Sequence, residues 1–529
     1  MTKQAWSTLV FAVSVILAGP RGALAQQAAV PSEGRYEVGS ALPPADPGET
    51  LVTLTLQEAI DRSLQNNLDL QSARLMPEIQ SYVMTSADAA FSPTLGGSIG
   101  YNNSSNQSIS QLDGGARTTT ERGSVNLQLS QTLPWYGARL STSFNNSRTF
   151  TDNSFATRNP SYSSSMSLSS TQPLLSGLRT DNQRMALETQ AIQQEITDIQ
   201  LTGQIENISN EVRVAYWALR STIEQIEIQR RSLEQAQQLL EDNRLRVTLG
   251  TLAEIELVQA EAQVANAEQG LLNAEIQWRT QELILKRLLV GGRDDPLFEQ
   301  TISPVDVPAI EEVEVDIDAA IERALLNRTD IRQLRQRYEI SELNLDVTRE
   351  DARPDLNLTA SYSLLGVGGD LFSRSGLGGA PELLERGGYV DGLNSLANFE
   401  TPSLSLGLSF TYPIGMRSAK ANVERAQLQL RQDEIALRSQ DLGIATEVTN
   451  AGLAVENTFL QLEAARRSRE AAERSTEAEL VRFSVGASTN FQVVSSQNTL
   501  TSALLTELRA IINYTNAIAE FQRVQRVGR

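Results

Sequence analysis

The segment LTLQEAIDRSLQNNLDL, which starts at Leu54, returns as VDIDAAIERALLNRTDI starting at Val315, an offset of 261 residues. The same offset carries Pro93 onto Pro354, Leu95 onto Leu356 and Tyr101 onto Tyr362 without a gap. Further along the offset becomes 236, pairing Glu211 with Glu447, Arg231 with Arg467, Arg246 with Arg482 and Gly250 with Gly486. Two long ungapped registers in the same order mean a duplicated unit, so the fold must be one that two similar halves complete together. The chain has 529 residues, more than a single core organises, which agrees with duplication.

Each half has the same order. A helix comes first, over 56–89 and 317–350, ending near Pro93 or Pro354. A Ser/Gly/Asn-rich section follows and ends at Pro173 or Pro413. Proline then disappears, with none from Leu174 to Asp295 and none from Ile414 to Arg529, and strong helix formers take over. Val212, Tyr216, Leu219, Ile223 and Ile226 step by 4, 3, 4 and 3, and Leu233 and Leu240 continue the phase. Leu500, Leu504, Ile511, Tyr514, Ile518 and Phe521 follow the same scheme, with Arg230, Gln237 and Glu507 as polar seam positions. Such spacing specifies supercoiled helix packing. From Asn182 to Leu249 the one strong breaker is Gly203, so the helix reaches ~100 Å at ~1.5 Å per residue. Gly250 and Gly486 are placed to turn two helical hairpins at their tips.

The sections between the helices alternate. Val125, Leu127 and Leu129 alternate with Asn126, Gln128 and Ser130, and Leu404, Leu406, Leu408 and Phe410 with Ser, Gly and Thr. Met166 and Leu168 do the same among serines. This is the dyad of a strand with one lipid face and one wet face, although half-buried soluble strands alternate too. Segments 94–105, 123–132, 138–150 and 161–172 read as four strands in the first half, with Pro134-Trp135-Tyr136-Gly137 as a turn. The second half offers 355–364 and 403–412 around the glycine-rich loop 365–402, whose GVGGD and GLGG runs lack the Lys-Ser/Thr of a phosphate cradle. A few strands per chain cannot close a membrane barrel, and open edges are not tolerated in lipid, so several copies must share one barrel.

The termini and composition agree with export. Lys3, the apolar run Ala5–Ala18 and Ala23-Leu24-Ala25 form a secretory signal over 1–25, followed by a Pro/Gly/Ala-rich leader over 26–50. No later stretch approaches 18 apolar residues, so no transmembrane helix is expected. The chain has no Cys and no His, which excludes a lipoprotein anchor, disulfides, thiolate or His-ligated metal sites and His-based triads. No cofactor, metal or catalytic residue is expected, and the formal charge of −19 argues against nucleic acid.

The arrangement resembles the TolC-like outer-membrane efflux proteins over about Leu54 to Arg523. The resemblance is carried by LTLQEAIDRSLQNN, TQPLL at 171–175, TYPIG at 411–415 with Arg417 and Ala419, and the tip segments 246–263 and 482–500. It implies an α+β membrane protein: a long antiparallel α-helical coiled-coil barrel joined to a transmembrane β-barrel shared by three subunits, with two tandem repeats, over 51–300 and 301–529. It further implies a homotrimer in the Gram-negative outer membrane with a periplasmic extension. Its partners would be outer-membrane lipid, a periplasmic adaptor and an inner-membrane pump of RND, ABC or MFS type. The function implied is a passive exit channel for small molecules or, alternatively, the outer-membrane channel of a type I protein secretion system.

Leu249-Gly250-Thr251 and Val485-Gly486-Ala487 match the family's adaptor-docking tips. Where relatives carry an acidic entrance ring after the second tip, this chain has Gln492 and Ser495. Glu254 and Glu256 of the first tip become the ring candidates, Glu256 standing where Gln492 stands in the second half; a solvated outer face is the other reading. The family's usual four strands per subunit would give 12 in the barrel, and six per subunit would give 18. A periplasmic coiled-coil protein with a small soluble sheet is the competing non-channel reading, and an enzyme is the weakest, since no convergent carboxylate site stands out.

Overall fold

A computed structural model of the chain describes residues 39, 41–44, 50–109, 115–308, 310–376, 379–412 and 414–525. The signal segment 1–25, most of the leader 26–50, and Pro413 lie outside the described residues. The first half runs β1 (Leu51–Leu54), α1 (Leu56–Asn66), α2 (Leu68–Asp88), β2 (Thr94–Gln107), β3 (Arg117–Thr132), β4 (Arg139–Thr151), β5 (Ser161–Pro173), α3 (Asn182–Thr248) and α4 (Ile255–Leu289). The second runs β6 (Thr301–Pro304), α5 (Ile317–Asn327), α6 (Thr329–Asp351), β7 (Asp355–Gly368), β8 (Leu371–Ser373), β9 (Glu382–Glu385), α7 (Tyr389–Ala397), β10 (Pro402–Thr411), α8 (Arg417–Ser484) and α9 (Asn490–Gln525). The 236-residue offset carries α3 onto α8 and α4 onto α9 with ends matching to one residue. No described helix is long and apolar enough to cross a membrane.

The opening helix of each half is not continuous, as the sequence suggested, but two helices that meet at an extended residue, Asn67 in one half and Arg328 in the other. Asn67 stops one helix and starts the next because its side-chain oxygen accepts from the Leu70 amide, competing with the helical ladder. Thr55 begins α1 with a reciprocal box: its hydroxyl accepts from the Glu58 amide, and the Glu58 carboxylate accepts from the Thr55 amide. Pro93 lies between α2 and β2, Pro354 between α6 and β7, and Pro173 is the last residue of β5.

The six long strands form one sheet in the order β10-β7-β5-β4-β3-β2, and every neighbouring pair is antiparallel. In antiparallel pairing, directly opposed residues share a face, so the register sorts the side chains. One face takes Leu95, Ile99, Leu127, Leu129, Phe144, Met166, Leu168, Tyr362, Leu404 and Leu408. The other takes serines of β4, β5, β7 and β10 with Asn126 and Gln128 of β3. Hydroxyls meet across that wet face, Ser141 with Ser169 at 2.6 Å and Ser143 with Ser167 at 2.7 Å. β2 and β10 are the two edges, with no partner on their outer sides among the described residues.

The cores lie in the helical body below the sheet. One cluster gathers Val212, Tyr216, Leu219, Ile223 and Ile226 of α3 with Trp278 and Leu285 of α4 and Ile302 of β6. It holds the small parallel pair β1–β6, and the Tyr216 hydroxyl donates to the Leu54 carbonyl at 2.9 Å. A second cluster builds the other hairpin around Val448, Leu462, Ile511, Tyr514 and Phe521. The buried α3 positions include those read as its seam up to Ile226, but Arg230 and Gln237 are exposed. There the buried residues are Ala236, Leu239, Leu240 and Asn243, so Leu240 keeps its expected place while Ala236 is buried beside the exposed Gln237.

Candidate docking tip and channel entrance

Both long hairpins turn in the same way at their distal ends. At the first tip the Gly250 amide donates to the Val247 carbonyl and the Thr251 amide to the Arg246 carbonyl, each at 2.9 Å. At the second, the Gly486 amide donates to Phe483 at 3.2 Å and the Ala487 amide to Arg482 at 2.8 Å. These paired bonds close the last helical carbonyls and need a left-handed residue, which Gly250 (φ 73°) and Gly486 (φ 75°) supply. A Cβ at either glycine would meet nothing within 4 Å, so the backbone angle alone requires glycine.

The turns expose matching apolar side chains. Leu249 and Val485 are equivalent and bare, and so are Ile255 and Phe491 at the start of the returning helices. The two tips lie side by side. The Arg246 guanidinium rests 4.4 Å from the centre of the Phe483 ring and donates to the Phe483 carbonyl at 3.2 Å. Below it the Asn243 amide donates to the Asn490 side-chain oxygen at 2.9 Å, and both residues are buried. Leu239, Phe483 and Val493 form a small apolar cluster beside them. Neither the Arg–Phe clamp nor the Asn pair was singled out from the sequence. The unusual polar residues at otherwise apolar seam positions were the signal available.

The four entrance positions fall into different surroundings. Glu254 is exposed at the residue preceding α4. Glu256 is half-buried in the first turn of α4, its carbonyl accepts from the Asn490 amide at 3.3 Å, and its Oε2 has no hydrogen-bond partner. Gln492 is a capping residue: its side-chain oxygen accepts from the Ser488 hydroxyl at 3.1 Å and the Thr489 amide at 3.3 Å. Ala253 stands where Thr489 stands, so the first tip has no such box and Glu256 is left unengaged. Ser495 faces the groove between α8 and α9 with Phe491, Asn498 and Ser468. Among the described residues no group of three or more Asp or Glu is placed to hold a metal ion.

A duplicated pair of ~100 Å helical hairpins below a six-stranded sheet with one apolar face is a specific arrangement. The sequence profile of the outer membrane efflux protein family matches residues 139–291 and 320–524. The chain belongs to that family. It is therefore an outer-membrane efflux channel with a periplasmic helical extension, a passive conduit and not an enzyme. The fold is similar to the CmeC outer membrane channel of Campylobacter jejuni, with a TM-score of 0.64 and 16% identity over 89% of this chain and 85% of that one. It is similar to the outer membrane protein VceC of Vibrio cholerae, with a TM-score of 0.62 and 14% identity over 89% of this chain and 95% of that one. The open state of the MtrE channel of Neisseria gonorrhoeae gives a TM-score of 0.58 and 18% identity over 94% of this chain and 97% of that one. No curated protein sequence matches the chain.

Proposed function

We propose that this efflux protein is the homotrimeric exit duct of a tripartite system that expels small molecules. Three copies of the six-stranded sheet would close an 18-stranded barrel, β10 of one copy pairing with β2 of the next. The observation that carries the trimer is an asymmetry between equivalent residues. Leu508 and Ile512 of α9 are 1% and 8% exposed because they pack into the first hairpin. Their equivalents on α4, Leu272 and Ile276, are 58% and 63% exposed. A face that is buried in one half and bare in its twin is completed by the second half of another copy.

Substrate would pass from the helical tunnel into a lumen lined chiefly by hydroxyls and amides, with Arg122, Arg139 and Asp355 as the charged groups on that face. The exposed Leu249, Val485, Ile255 and Phe491 give a periplasmic adaptor an apolar footing at the tips. The test is planar-bilayer conductance of the purified protein together with dye retention in cells lacking it. Ion conductance and raised dye retention are expected. A monomer released from washed membranes, without conductance, would end the channel reading, and loss of an exported protein with unchanged dye retention would move it to type I secretion.

A further inference from the structure

Resting on that shared barrel, we infer that α7 is a membrane anchor: it lies against the outside of the barrel, in outer-leaflet lipid at the boundary of headgroups and acyl chains. The register fixes the side on which it sits. Gly366 and Gly368 alternate with Val367 along β7, so they share a face with Leu364 and Tyr362. A Cβ built on either glycine would run into the backbone of α7 at Gly392 or of Gly388 just before it. Asn146 of β4 and Ser164 of β5 stand in the same row as Gly366. Tyr389 reaches both strands: its hydroxyl donates to Asn146 Oδ1 at 3.1 Å, and its ring meets that of Tyr162 edge-on, 6.1 Å between centres. This is the face that also takes Leu127, Met166 and Leu404. The helix is therefore on the lipid side of the sheet and not in the lumen.

Its depth follows from β7 itself. The outward residues from Leu356 to Leu364 are apolar, over close to the ~9–11 residues that carry a tilted strand across the hydrocarbon. Gly366 and Gly368 come next, so α7 lies at the outer rim of that band. Asn146 and Ser164 would put an amide and a hydroxyl on a lipid face, but under α7 Ser164 is buried and donates to Asn146 Oδ1 at 2.6 Å. The side of α7 and its approach turned away from the sheet bears Leu384, Val390 and Phe399, 62%, 64% and 59% exposed. Exposed Arg386, Asp391 and Asn394 stand among them. Bare apolar groups interleaved with charges suit the headgroup boundary, where each kind finds its own solvent.

The sheet order says what covers this surface. A second copy joins at β10, whereas α7 lies over β7 and β5 and leans toward β4, away from that edge. The connection 369–401 is tied to its own copy as well. Arg158 donates to the Gly369 carbonyl at 2.8 Å, and the Phe372 amide donates to the Thr157 carbonyl at 2.9 Å. The outward side of α7 thus continues the lipid face below it, and lipid covers both. Anchored there, the connection is held against the outer wall and off the mouth of the lumen.

The experiment exploits a chain that has no cysteine. Val390→Cys and Phe399→Cys test α7, Leu408→Cys the lipid face below it, and Val367→Cys the opposite face of β7. Each full-length variant is labelled with an environment-sensitive fluorophore and reconstituted in phosphatidylcholine vesicles. Nitroxide on the lipid acyl chain near the headgroup should quench the labels at 390, 399 and 408 about twofold or more, and iodide should quench the label at 367 instead. Labels at 390 and 399 that follow 367, quenched by iodide and not by lipid nitroxide, would overturn the anchor. Labels there shielded from both quenchers would overturn it too, by showing protein over α7. In either case lipid quenching at 408 leaves the barrel standing, whereas its loss at 408 removes the barrel and the channel function with it.

Discussion

Glu507 and Arg469 show how one residue position is solved differently in the two halves. They lie 2.6 Å apart and mostly buried between α8 and α9, with Arg466 at 3.7 Å. The equivalent positions of the first hairpin are Leu271 and Leu233. Burial pushes the Glu507 carboxyl above the usual carboxylate range even though both arginines pull it down. A carboxyl raised in the folded state favours folding when protonated. Its contribution is full below the unfolded value near 4.3 and is lost as pH rises through the folded value. Glu507→Gln should therefore flatten the loss of stability between acid and neutral pH, as read by denaturant unfolding at several pH values. Arg469→Leu alone should cost about 3 kcal/mol by leaving a buried carboxylate underpaired. The double variant Arg469→Leu, Glu507→Leu should recover that loss, because the first hairpin already packs two leucines there. A double variant no more stable than the single one would refute the equivalence.

Among the elements, α7 shows what glycine permits. It packs on the apolar side of β7 at the loop end of the sheet, where a Cβ on Gly366 would lie 1.9 Å from the Gly392 carbonyl oxygen and one on Gly368 2.1 Å from that of Gly388. Tyr389 ties the helix down, donating to Asn146 Oδ1 at 3.1 Å. Gly366→Ala should lift α7 and open the 369–401 loop to protease while the sheet persists, which limited proteolysis with circular dichroism would show. Intact protection would refute that packing. Gly486→Ala meets no steric barrier beyond its angle, so it should cost about 1–2 kcal/mol in thermal unfolding and weaken adaptor binding at the same tip. The existence of both elements was only partly legible. Gly486 follows a long apolar periodicity and identifies a turn, but the GVGGD run, expected as loop although Gly366–Gly368 end β7, gave no sign of a helix seated on it, since the contact is between backbones distant in sequence.

At the scale of the molecule, assembly is the decisive property. Leu272→Asp with Ile276→Asp should yield a folded monomer, because those side chains are solvent-exposed in the single chain and the proposed trimer would bury them. Native mass measurement reports the monomer, and circular dichroism reports the fold. A trimer surviving both substitutions would refute the seam. The breadth of the barrel belongs to the same scale. The PWYG turn joins β3 to β4, and Gln172 of β5 holds it by donating to the Tyr136 carbonyl at 2.8 Å. The continuous pairing of β4 with β3 and with β5 keeps that hairpin in the plane of the sheet.

The sequence by itself determined the duplication, the length of the helices, the alternating strands and the glycine turns, because each is written in spacing along the chain. It could not determine that Asn67 would divide the first helix, since an asparagine caps or continues according to the local competition for one amide. It read polar residues at Arg230 and Gln237 into the seam, and both are exposed although Leu240 of the same phase is buried. Above all, the repeat announced two equal halves, and only the tertiary structure decided that they are unequal. Leu508 is buried because the second hairpin packs on the first, while the equivalent face of the first hairpin, with Leu272, stays bare in the single chain.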